Sequence, residues 1–555
     1  MVHRWWRAKI SPAILIPKMT KSPATRRNLI YSLYAAVLLL ELFFLFYRLD
    51  GRLLWGDEAE TAVLAKNVVS FGVPKTEDGV NHITLYGGNI DGNRNNIWIW
   101  SPWLQEYLAA GAFKLLGPTT WAARAPFAFI GWLSLILLAL TVHKIYRDHW
   151  TTLAAMALLG TSEIFLLHAR QCRYYSISVF GEILFVYAIY QLLGRNRWGA
   201  GTLAVALLLQ FYSNYIVSVA NLPILVPLTL VLYQHDKRLV LWLALGLGAA
   251  LVAVMPWLFY AHPWRQLGIM QNHVELLEKI GSLLRDFHFY FLPWVFVALP
   301  VGGWLTARIS AKRRGRCATG ESIKKNKPAV PGDAAVNLER FLCGLLPLYF
   351  LVIVILPGVY PRYLLPLLPI CCLLVAVWVL RHVPWRTLAV AILLLQCTSN
   401  GFALASDFTN RGQNVFRWPI IEFVEGISRP YRDRFADVLE FLNGEARPGQ
   451  TVFGFDPEFP LIFYTRLKIV DGRLSRGNLP GPLPDWILSE SASGVSDKTI
   501  VPPASLIVYY EPVVISVHNS RRNGCIPLPN IYEYTTARTY SPFLLYKKKN
   551  ASPPD

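Results

Sequence analysis

Long apolar segments, separated by short loops rich in Lys and Arg, make up the chain between residues 29 and 400. A helix of about 20 predominantly apolar residues can cross a bilayer, so these segments predict a polytopic α-helical membrane protein with about eleven transmembrane helices. The segments between 199 and 233 are short, which leaves the helix count in that stretch open. The predicted spans are 29–49, 122–145, 151–168, 174–194, 199–216, 218–233, 238–260, 289–307, 340–359, 363–380 and 384–400.

The pattern changes in residues 401–555, where shorter apolar segments alternate with polar ones. The segment RDRFADVLEFLNG predicts a helix, and a second, shorter helix is predicted between two strands that follow it. These residues are therefore expected to form a small C-terminal α/β domain. Its strands are predicted at Thr451–Phe455, at Leu467–Val470, in SLIVYY and in FLLYKK.

The first loop of the membrane module, residues 50–120, contains two further helical patterns. The segments DEAETAVLAKNVVSFG and NIWIWSPWLQEYLAAGAFKLLG both place apolar residues at helical spacing. The second is rich in Trp, which favours the membrane interface, so we expect both helices to lie along that interface. Between them, TEDGVNHITLYGGNIDGNRNN is rich in Gly and Asn, which is typical of a solvated loop and also suits a hydroxyl-rich ligand.

Composition supports a membrane protein and excludes some other classes. The chain has 555 residues, of which 54% are hydrophobic and only 16% are charged, and this is more apolar than a soluble protein of that length. Its net charge is +19, which we attribute to cytoplasmic loops rather than to a nucleic-acid partner. Seven cysteines without paired spacing predict neither a disulfide framework nor a zinc site.

The distribution of Lys and Arg predicts the topology. The basic N-terminal tail, residues 1–28, is expected in the cytoplasm by the positive-inside rule. The transmembrane module, residues 29–400, then has its first loop on the extracytoplasmic side, and the domain 401–555 follows on that side too. Counting spans from the tail places five further basic loops in the cytoplasm: HKIYRDH, GRNRW, YQHDKR, RISAKRRGRCATGESIKKNK and RHVPWR.

Two basic loops remain on the outer side, His168–Ser176 and Pro357–Pro369, together with the acidic pair Asp57 and Glu58. Positive charge on that side runs against the topology rule, so these loops suggest a function. These acidic and basic residues can also be explained by structural roles alone. Asp57 and Glu60 have the spacing of a helix capping box, and an arginine at the end of a span often extends its charge to the interface.

Four motifs in this order resemble the GT-C membrane glycosyltransferases. They are the Asp57–Glu58 pair after the first span, SPWLQEYLAAGAFKLLG, ARQCRYYS and RYLLPLLP. The chain is most similar to the group of protein O-mannosyltransferases and aminoarabinose transferases, which take a sugar from a polyprenyl-phosphate carrier. The resemblance covers about residues 29–400, and the segment EFLNGEARPGQTVFGFD resembles the start of a soluble domain that many bacterial members carry.

The resemblance implies transfer of a sugar from a polyprenyl-phosphate donor to a lipid, glycan or protein acceptor, with inversion. A lipid phosphate is already a good leaving group, so the site needs a base and a cationic cradle rather than a general acid. Asp57 is the expected base, and Glu58 is its possible catalytic neighbour. The expected phosphate ligands are guanidinium groups and tyrosine hydroxyls, namely Arg170, Arg173, Arg362, Tyr174, Tyr175 and Tyr363.

The chain departs from the aminoarabinose transferases at two positions. Those proteins have a Lys where this chain has Ser101, and they have a second acid in the loop that corresponds to ARQCRYYS, where this chain has none. Glu163 and Glu182 flank that loop inside predicted spans, where carboxylates are costly and suggest a function. Glu163 shares a helix face with Arg170 and is the candidate second acid. No cofactor is expected to be obligatory, and a divalent metal is left open.

Two other functions remain as alternatives. A transferase or polymerase of lipid-linked oligosaccharides would differ in its acceptor and would need a bound divalent metal, whereas a polytopic transporter or lipid flippase would place ionisable groups near the midplane of two related halves. We find no internal repeat, and the charged candidates share one predicted face. The single glycosylation sequon, Asn550-Ala551-Ser552, and the lack of a cysteine framework favour a bacterial inner membrane.

Overall fold

The computed structural model describes residues 23–84, 91–268, 275–303, 331–356, 360–407, 415–454, 459–471, 482–490, 501–502, 505–520 and 532–549. Most of the predicted cytoplasmic tail, the basic loop at 308–327 and the sequon at Asn550 lie outside these ranges.

Helices dominate the described part of the chain. In chain order they are α1 (Pro23–Phe46), α2 (Gly56–Phe71), α3 (Leu104–Leu116), α4 (Thr120–Tyr146), α5 (His149–Gly160), α6 (Glu163–Ala169), α7 (Tyr175–Leu193), α8 (Trp198–Ser213), α9 (Tyr215–Asn221), α10 (Leu225–His235), α11 (Lys237–Ala261), α12 (Leu276–Tyr290), α13 (Trp294–Gly303), α14 (Pro331–Ile355), α15 (Leu368–His382), α16 (Arg386–Thr398), α17 (Gly401–Ala405), α18 (Pro419–Ser428), α19 (Arg434–Glu445) and α20 (Phe459–Tyr464). Short 3-10 helices add Leu222–Ile224, Pro263–Gly268, Pro361–Leu367 and Ile507–Tyr509.

Seven helical segments in the described ranges are long and apolar enough to cross a membrane, and the bent pair α5 and α6 would make an eighth. Two of the seven are composite: Tyr215–Gln234 joins α9 to α10, and Pro361–His382 joins a 3-10 helix to α15. Three shorter apolar helices, α8, α13 and α16, also match predicted segments. Each of the predicted spans therefore contains an apolar helix, and the chain is a multi-pass membrane protein. Crossing by all eleven stays a prediction, because the short helices do not reach the length of a full span by themselves.

The break between α5 and α6 places one end of the functional site. The two helices meet at an angle of 63°. Thr161 interrupts them, because its hydroxyl donates to the carbonyl of Ala157 at 2.7 Å and Ser162 N donates to Leu159 O. After the seven residues of α6 the chain turns tightly through 170–174 and starts α7. This turn carries Arg170–Tyr174 of the ARQCRYYS motif.

The first loop, residues 50–120, and the C-terminal domain share one hydrophobic core. Val63 of α2 and Phe113 of α3 belong to the same buried cluster as Phe435 of α19 and Trp486 of the sheet. Most of α2 is buried as a result. The first predicted helix of this loop is present as α2, whereas the second begins only at Leu104 as α3. The position of both along the membrane interface stays a prediction. One helix of the C-terminal region, α18, packs into the membrane core through Phe423.

A five-stranded mixed sheet forms the centre of the C-terminal domain. Its strands are β1 (Thr451–Gly454), β2 (Lys468–Asp471), β3 (Trp486–Leu488), β4 (Tyr510–His518) and β5 (Tyr540–Lys548), in the order β2-β1-β3-β5-β4. Three of the four predicted strands are found close to their expected positions. The segment SLIVYY was predicted wrongly as a strand, because Ile507–Tyr509 is an exposed 3-10 turn and β4 begins only at Tyr510.

Candidate functional site

The acidic pair lies in the first turn of α2. This helix begins at Gly56, directly after the extended residue Trp55. Negative charge is favoured there, because the helix dipole is positive at the N-terminus. Successive helical residues point about 100° apart, so Asp57 and Glu58 face different surroundings. The proposed capping box of Asp57 and Glu60 is wrong, since both residues lie inside the helix.

Glu58 is a buried structural carboxylate. Its side chain has no exposed surface, and Arg124 approaches both of its oxygens, with Nε at 2.8 Å and Nη2 at 2.7 Å. Cys172 N donates to the same carboxylate at 2.8 Å. A carboxylate held from two sides in this way has no oxygen left for a substrate. The structure therefore argues against the catalytic role that the sequence suggested for Glu58.

Asp57 is the accessible acid of the pair. Its side chain is 29% exposed, and Arg362 Nη1 donates to Oδ2 at 2.9 Å. Arg173 Nη2 lies 4.0 Å from the same oxygen. Three charged residues that are more than 100 positions apart in sequence thus meet at one point. This is the grouping that the topology predicted, although the roles of the three residues stay predictions.

Arg173 is largely committed to neighbouring protein groups. Its Nη1 donates to Asp57 O at 3.1 Å, to Glu60 Oε1 at 2.9 Å and to Thr61 Oγ1 at 2.8 Å. Burial would lower the pKa of Arg173, but the charges of Glu60 and Asp57 raise it above its usual value. Burial also raises the pKa of Glu60, against the opposing effect of Arg173. Arg173 therefore holds the start of α2 in place and presents one edge of its guanidinium towards Asp57.

Arg362 keeps most of its hydrogen-bonding capacity. It lies in the 3-10 helix Pro361–Leu367, whose two prolines restrict the backbone on both sides of it. Its one hydrogen bond within the described residues goes to Asp57, and its Nε is buried without a partner. The guanidinium lies 4.6 Å from the ring centroid of Tyr360 and 5.9 Å from that of Trp55. Aromatic faces thus hold the cation while leaving its N–H groups unoccupied.

The tyrosines around this pair differ in what they offer. Tyr363 is buried, and its carbonyl accepts a hydrogen bond from Tyr349 at 2.9 Å. Tyr174 donates its backbone N–H to Gln105 Oε1 at 3.1 Å. The hydroxyl of Tyr175 is buried and has no partner among the described residues, and its ring contacts His168 at 4.7 Å. None of the three hydroxyls has a hydrogen-bond partner among the described residues, and that of Tyr175 is the one that is fully buried.

Arg170 is separated from Asp57 and binds the end of α1. Its two terminal nitrogens donate to the carbonyls of Phe44, Leu45, Tyr47 and Arg48. A cation at the C-terminal end of a helix satisfies carbonyls that have no partner in the helix and interacts favourably with the helix dipole. The prediction that Arg170 joins Arg173 and Arg362 at one phosphate is therefore not supported by the geometry.

Glu163 also lies in a different environment from the one expected. It is the first residue of α6, and its Oε1 accepts from Arg417 Nη2 at 3.3 Å. Arg417 also pairs with Glu422 at the start of α18. Among the described residues no contact joins Glu163 to Asp57, so its buried carboxylate is explained by anchoring α18 rather than by a second catalytic acid. Glu182 likewise accepts from Gln210 and Asn221 between helices.

Sequence reasoning named Ser101 of the SPWLQE segment but missed Gln105 and Glu106. Ser101 accepts a hydrogen bond from Trp98 Nε1 at 2.8 Å and donates to Glu106 Oε1 at 3.2 Å. Gln105 Nε2 donates to the same oxygen at 3.0 Å, and Glu106 Oε2 is buried without a partner. Burial raises the pKa of Glu106 to about 8. The signal in the sequence was a carboxylate and an amide, adjacent in an otherwise apolar helix.

Glu106→Gln is expected to stabilise the protein increasingly as the pH rises from 5 to 8. Between its ordinary pKa of 4.5 and about 8, Glu106 keeps its proton only in the folded state, so stability falls as the pH rises through that range. Glutamine is neutral throughout and removes this dependence. Apparent melting temperatures at pH 5 and pH 8 measure the effect, with the exposed Glu278→Gln as control. A constant difference between variant and wild type would contradict the prediction.

No group of His, Cys, Asp or Glu in the described ranges has the geometry of a metal site. The acidic residues nearest Asp57, which are Glu58 and Glu60, are already paired with Arg124 and Arg173. The charge balance of this site is therefore supplied by arginines.

No family model matches the chain, and no curated protein matches it by sequence. Solved structures are similar to it. ArnT from Cupriavidus metallidurans bound to undecaprenyl phosphate has 14% sequence identity and a TM-score of 0.49, over 95% of this chain and 99% of ArnT. The archaeal oligosaccharyltransferase AglB from Archaeoglobus fulgidus, in complex with an inhibitory peptide and a dolichol-phosphate, has 11% identity and a TM-score of 0.46, over 80% of this chain and 64% of AglB.

The apo state of the same ArnT gives a similar result, with 15% identity and a TM-score of 0.49 over 89% of this chain and 93% of ArnT. The function proposed below rests on the contacts of this chain's own Asp57 and Arg362.

Proposed function

We propose that the protein transfers a sugar from a polyprenyl-phosphate donor to an acceptor hydroxyl, with inversion, on the extracytoplasmic side of a bacterial inner membrane. The observation that carries this proposal is the contact between Asp57 and Arg362, an accessible carboxylate and an arginine with unused donors at 2.9 Å. This pair would combine a base with a phosphate ligand at one point of the structure. The acceptor is a lipid, a glycan or a protein.

The reaction requires two groups of opposite charge on opposite sides of the sugar. The acceptor hydroxyl attacks the anomeric carbon, and its proton passes to the carboxylate of Asp57. The bond between the anomeric carbon and the phosphate oxygen breaks, and its electron pair stays on the polyprenyl phosphate. Arg362 stabilises the negative charge that grows on this oxygen, as guanidinium groups match phosphate oxygens in geometry and charge.

The ion pair itself supports this division of roles. An entering phosphate would compete with Asp57 for Arg362, and a released carboxylate would be a stronger base than a paired one. Arg173, which lies 4.0 Å from Asp57 Oδ2, would then be the remaining cation at the carboxylate and would keep it in position. Tyr175, whose buried hydroxyl has no partner in the described residues, is a further donor for the phosphate or the sugar.

Native mass spectrometry of the purified protein with added polyprenyl phosphate tests the donor class. We expect a one-to-one adduct that the Arg362→Gln variant binds more weakly, because one charge-assisted contact is lost. Retention of an adduct of equal strength in that variant would contradict the proposed phosphate site.

Transfer of a labelled sugar in the presence of a chelator separates this proposal from a metal-dependent oligosaccharide transferase, since we propose that no metal is obligatory.

Arg362→Lys is expected to weaken transfer by about tenfold or more although it keeps the positive charge. Lysine has no planar fork and cannot replace two parallel N–H donors, so it should hold the phosphate as a point charge only. Transfer rates at saturating acceptor, measured over a range of donor concentrations, give the effect.

The matched control for this variant is Arg173→Lys. Arg173 is engaged by Glu60 and Thr61, so its replacement should lower the stability of the fold more than Arg362→Lys does. Unchanged donor affinity and turnover in Arg362→Lys would leave Arg362 as an interfacial anchor and contradict its role at the phosphate.

A further inference from the structure

A second, strongly basic pocket lies beside the proposed catalytic site. It is formed where the end of α1 and the turn after α6 meet α18 and residues 532–534 of the C-terminal domain. Among the residues that the structure describes, Glu58 is the one acidic residue that lines it. Its arginines are Arg48, Arg52, Arg124, Arg170 and Arg429.

Three of these five positive charges are not balanced by a carboxylate. Arg124 pairs with Glu58, and Arg429 pairs with Glu425. The other three arginines bind backbone carbonyl groups, and no carboxylate of the described residues lies within 4.0 Å of their nitrogens. Neutral carbonyls satisfy N–H donors but leave the charge in place. The three are Arg48, Arg52 and Arg170.

Arg52 is held with one donor group free. Its guanidinium lies 4.0 Å from the ring centroid of Tyr431 and 4.4 Å from that of Tyr532, and Nη1 donates to Glu533 O at 2.9 Å. Its Nη2 is buried and has no partner in the described part of the chain. Two aromatic faces and one backbone contact therefore fix a cation whose second nitrogen points at no protein acceptor.

The concentration of positive charge is energetically unfavourable without an anion. Burial, together with the charges of Arg124 and Arg52, lowers the pKa of Arg170 to about 9. Arg170 also satisfies the end of α1, so helix capping explains part of its position. Helix capping does not explain why Arg52 lies beside Arg170, since the unpaired Nη2 of Arg52 contacts no helix end among the described residues.

This basic pocket and the catalytic site share a wall. Trp55 lines the pocket, and the centroid of its ring lies 5.9 Å from the guanidinium of Arg362. Its Nε1 donates to Gln171 Oε1 at 3.2 Å, which fixes the ring between the two sites. Glu58, the neighbour of Asp57 in the chain, also lines the pocket, so a ligand bound there would lie beside the start of α2, which carries the proposed base.

We propose that this arginine pocket binds a phosphate group carried by the acceptor, and so places an acceptor hydroxyl near Asp57. This inference rests on the proposed function for the identity of the ligand as an acceptor, whereas phosphate binding itself can be tested separately. Arginine is suited to such a site, because its planar fork matches phosphate oxygens and it keeps its charge when buried. The acceptor class that fits is a phosphorylated, anionic molecule, such as a lipid with a phosphomonoester headgroup.

Native mass spectrometry of the full-length protein with phosphatidic acid tests the pocket. Phosphatidic acid supplies a phosphomonoester, and phosphatidylcholine of the same chain length is the zwitterionic control. We expect Arg52→Gln to weaken phosphatidic acid binding by about tenfold, because a charge-assisted contact is lost, and Arg52→Lys to restore part of it. Arg466→Gln, an exposed arginine outside the pocket, should leave binding unchanged.

Two further measurements keep the test decisive. Melting temperatures identify a variant that has lost its fold, and Arg48→Gln then serves as the second variant with the same expected loss. If inorganic phosphate competes with phosphatidic acid, the phosphate group alone is the ligand. If millimolar inorganic phosphate does not compete, the lipid portion is needed too. Equal phosphatidic acid binding by wild type, Arg52→Gln and Arg48→Gln would overturn the proposal.

The outcome also separates this inference from the proposed function. Polyprenyl-phosphate binding should depend on Arg362 and should be unchanged in Arg52→Gln. If Arg52→Gln loses phosphatidic acid binding and the wild type does not bind polyprenyl phosphate, the arginine pocket is supported and the proposed donor is rejected. If polyprenyl-phosphate binding depends on Arg362 while phosphatidic acid binding is the same in Arg52→Gln and Arg48→Gln as in wild type, the proposed donor is supported and the arginine pocket is rejected.

Discussion

Asp57→Asn is expected to lower the rate of sugar transfer by roughly 10²-fold or more, while polyprenyl-phosphate binding changes little. Asparagine keeps the size of the side chain and can still accept a hydrogen bond from Arg362. It cannot take a proton from an acceptor hydroxyl, because the amide oxygen is a far weaker base than a carboxylate. The loss should therefore appear in turnover, measured with saturating donor, rather than in donor affinity.

Asp50→Asn is the matched control for this experiment. Asp50 is exposed, lies seven positions before Asp57 in the same outer loop, and forms no ion pair within the described residues. Its replacement should leave transfer unchanged. Wild-type turnover in Asp57→Asn, with donor binding intact, would mean that the Asp57–Arg362 pair is structural and that the base lies elsewhere.

The helices of the membrane module could be predicted because segment length alone carries that information. Each long apolar segment contains a helix in the structure, and the positions agree because water excludes such segments whatever their neighbours are. The α/β domain was also predictable, since β1, β2 and β5 show the expected patterns. The shared core of α2, α3 and that domain was not predictable, as it joins residues about 350 positions apart.

The site was predicted only in part, because partners decide the role of each charged residue. Asp57, Arg173 and Arg362 meet as expected. The order of the predicted spans was enough to place all three residues on the same side of the membrane. Arg170 was grouped with Arg173 because the two are close in sequence. In the structure α6 ends at Ala169, so Arg170 turns back to the carbonyls of α1 while Arg173 lies at α2.

The same reasoning explains the two adjacent carboxylates. Sequence places Asp57 and Glu58 together, but a helix points them in different directions, and the partner of Glu58 comes from the start of α4. Arg124 gave no periodic signal of its own, because it lies among the apolar residues of WAARAPF. The one indication in the sequence was that Arg124 is a charged residue close to the start of a predicted span, where a buried charge needs a partner.

Glu58→Gln is expected to destabilise the folded protein by about 3–5 kcal/mol, a larger change in stability than any other single substitution considered above. The variant leaves the buried guanidinium of Arg124 without its carboxylate. Arg124 also donates to the carbonyls of Leu49, Arg52 and Leu53, so its displacement would disturb the connection between α1 and α2 that positions Asp57. The loss should appear as a lower melting temperature and a lower yield of folded protein.

The double variant Glu58→Gln with Arg124→Gln separates a structural pair from a catalytic acid. Removing both charges avoids the cost of one unpaired buried ion, so the double variant should be more stable than either single variant, and a double-mutant cycle measures the coupling. Folded protein from these variants should still transfer sugar, because neither Glu58 nor Arg124 acts on the reacting atoms in the proposed mechanism, although acceptor affinity can change since both residues line the arginine pocket. A Glu58→Gln protein with wild-type stability and lost turnover would instead make Glu58 the base, and Asp57 would then be its charged neighbour at the entrance of the site.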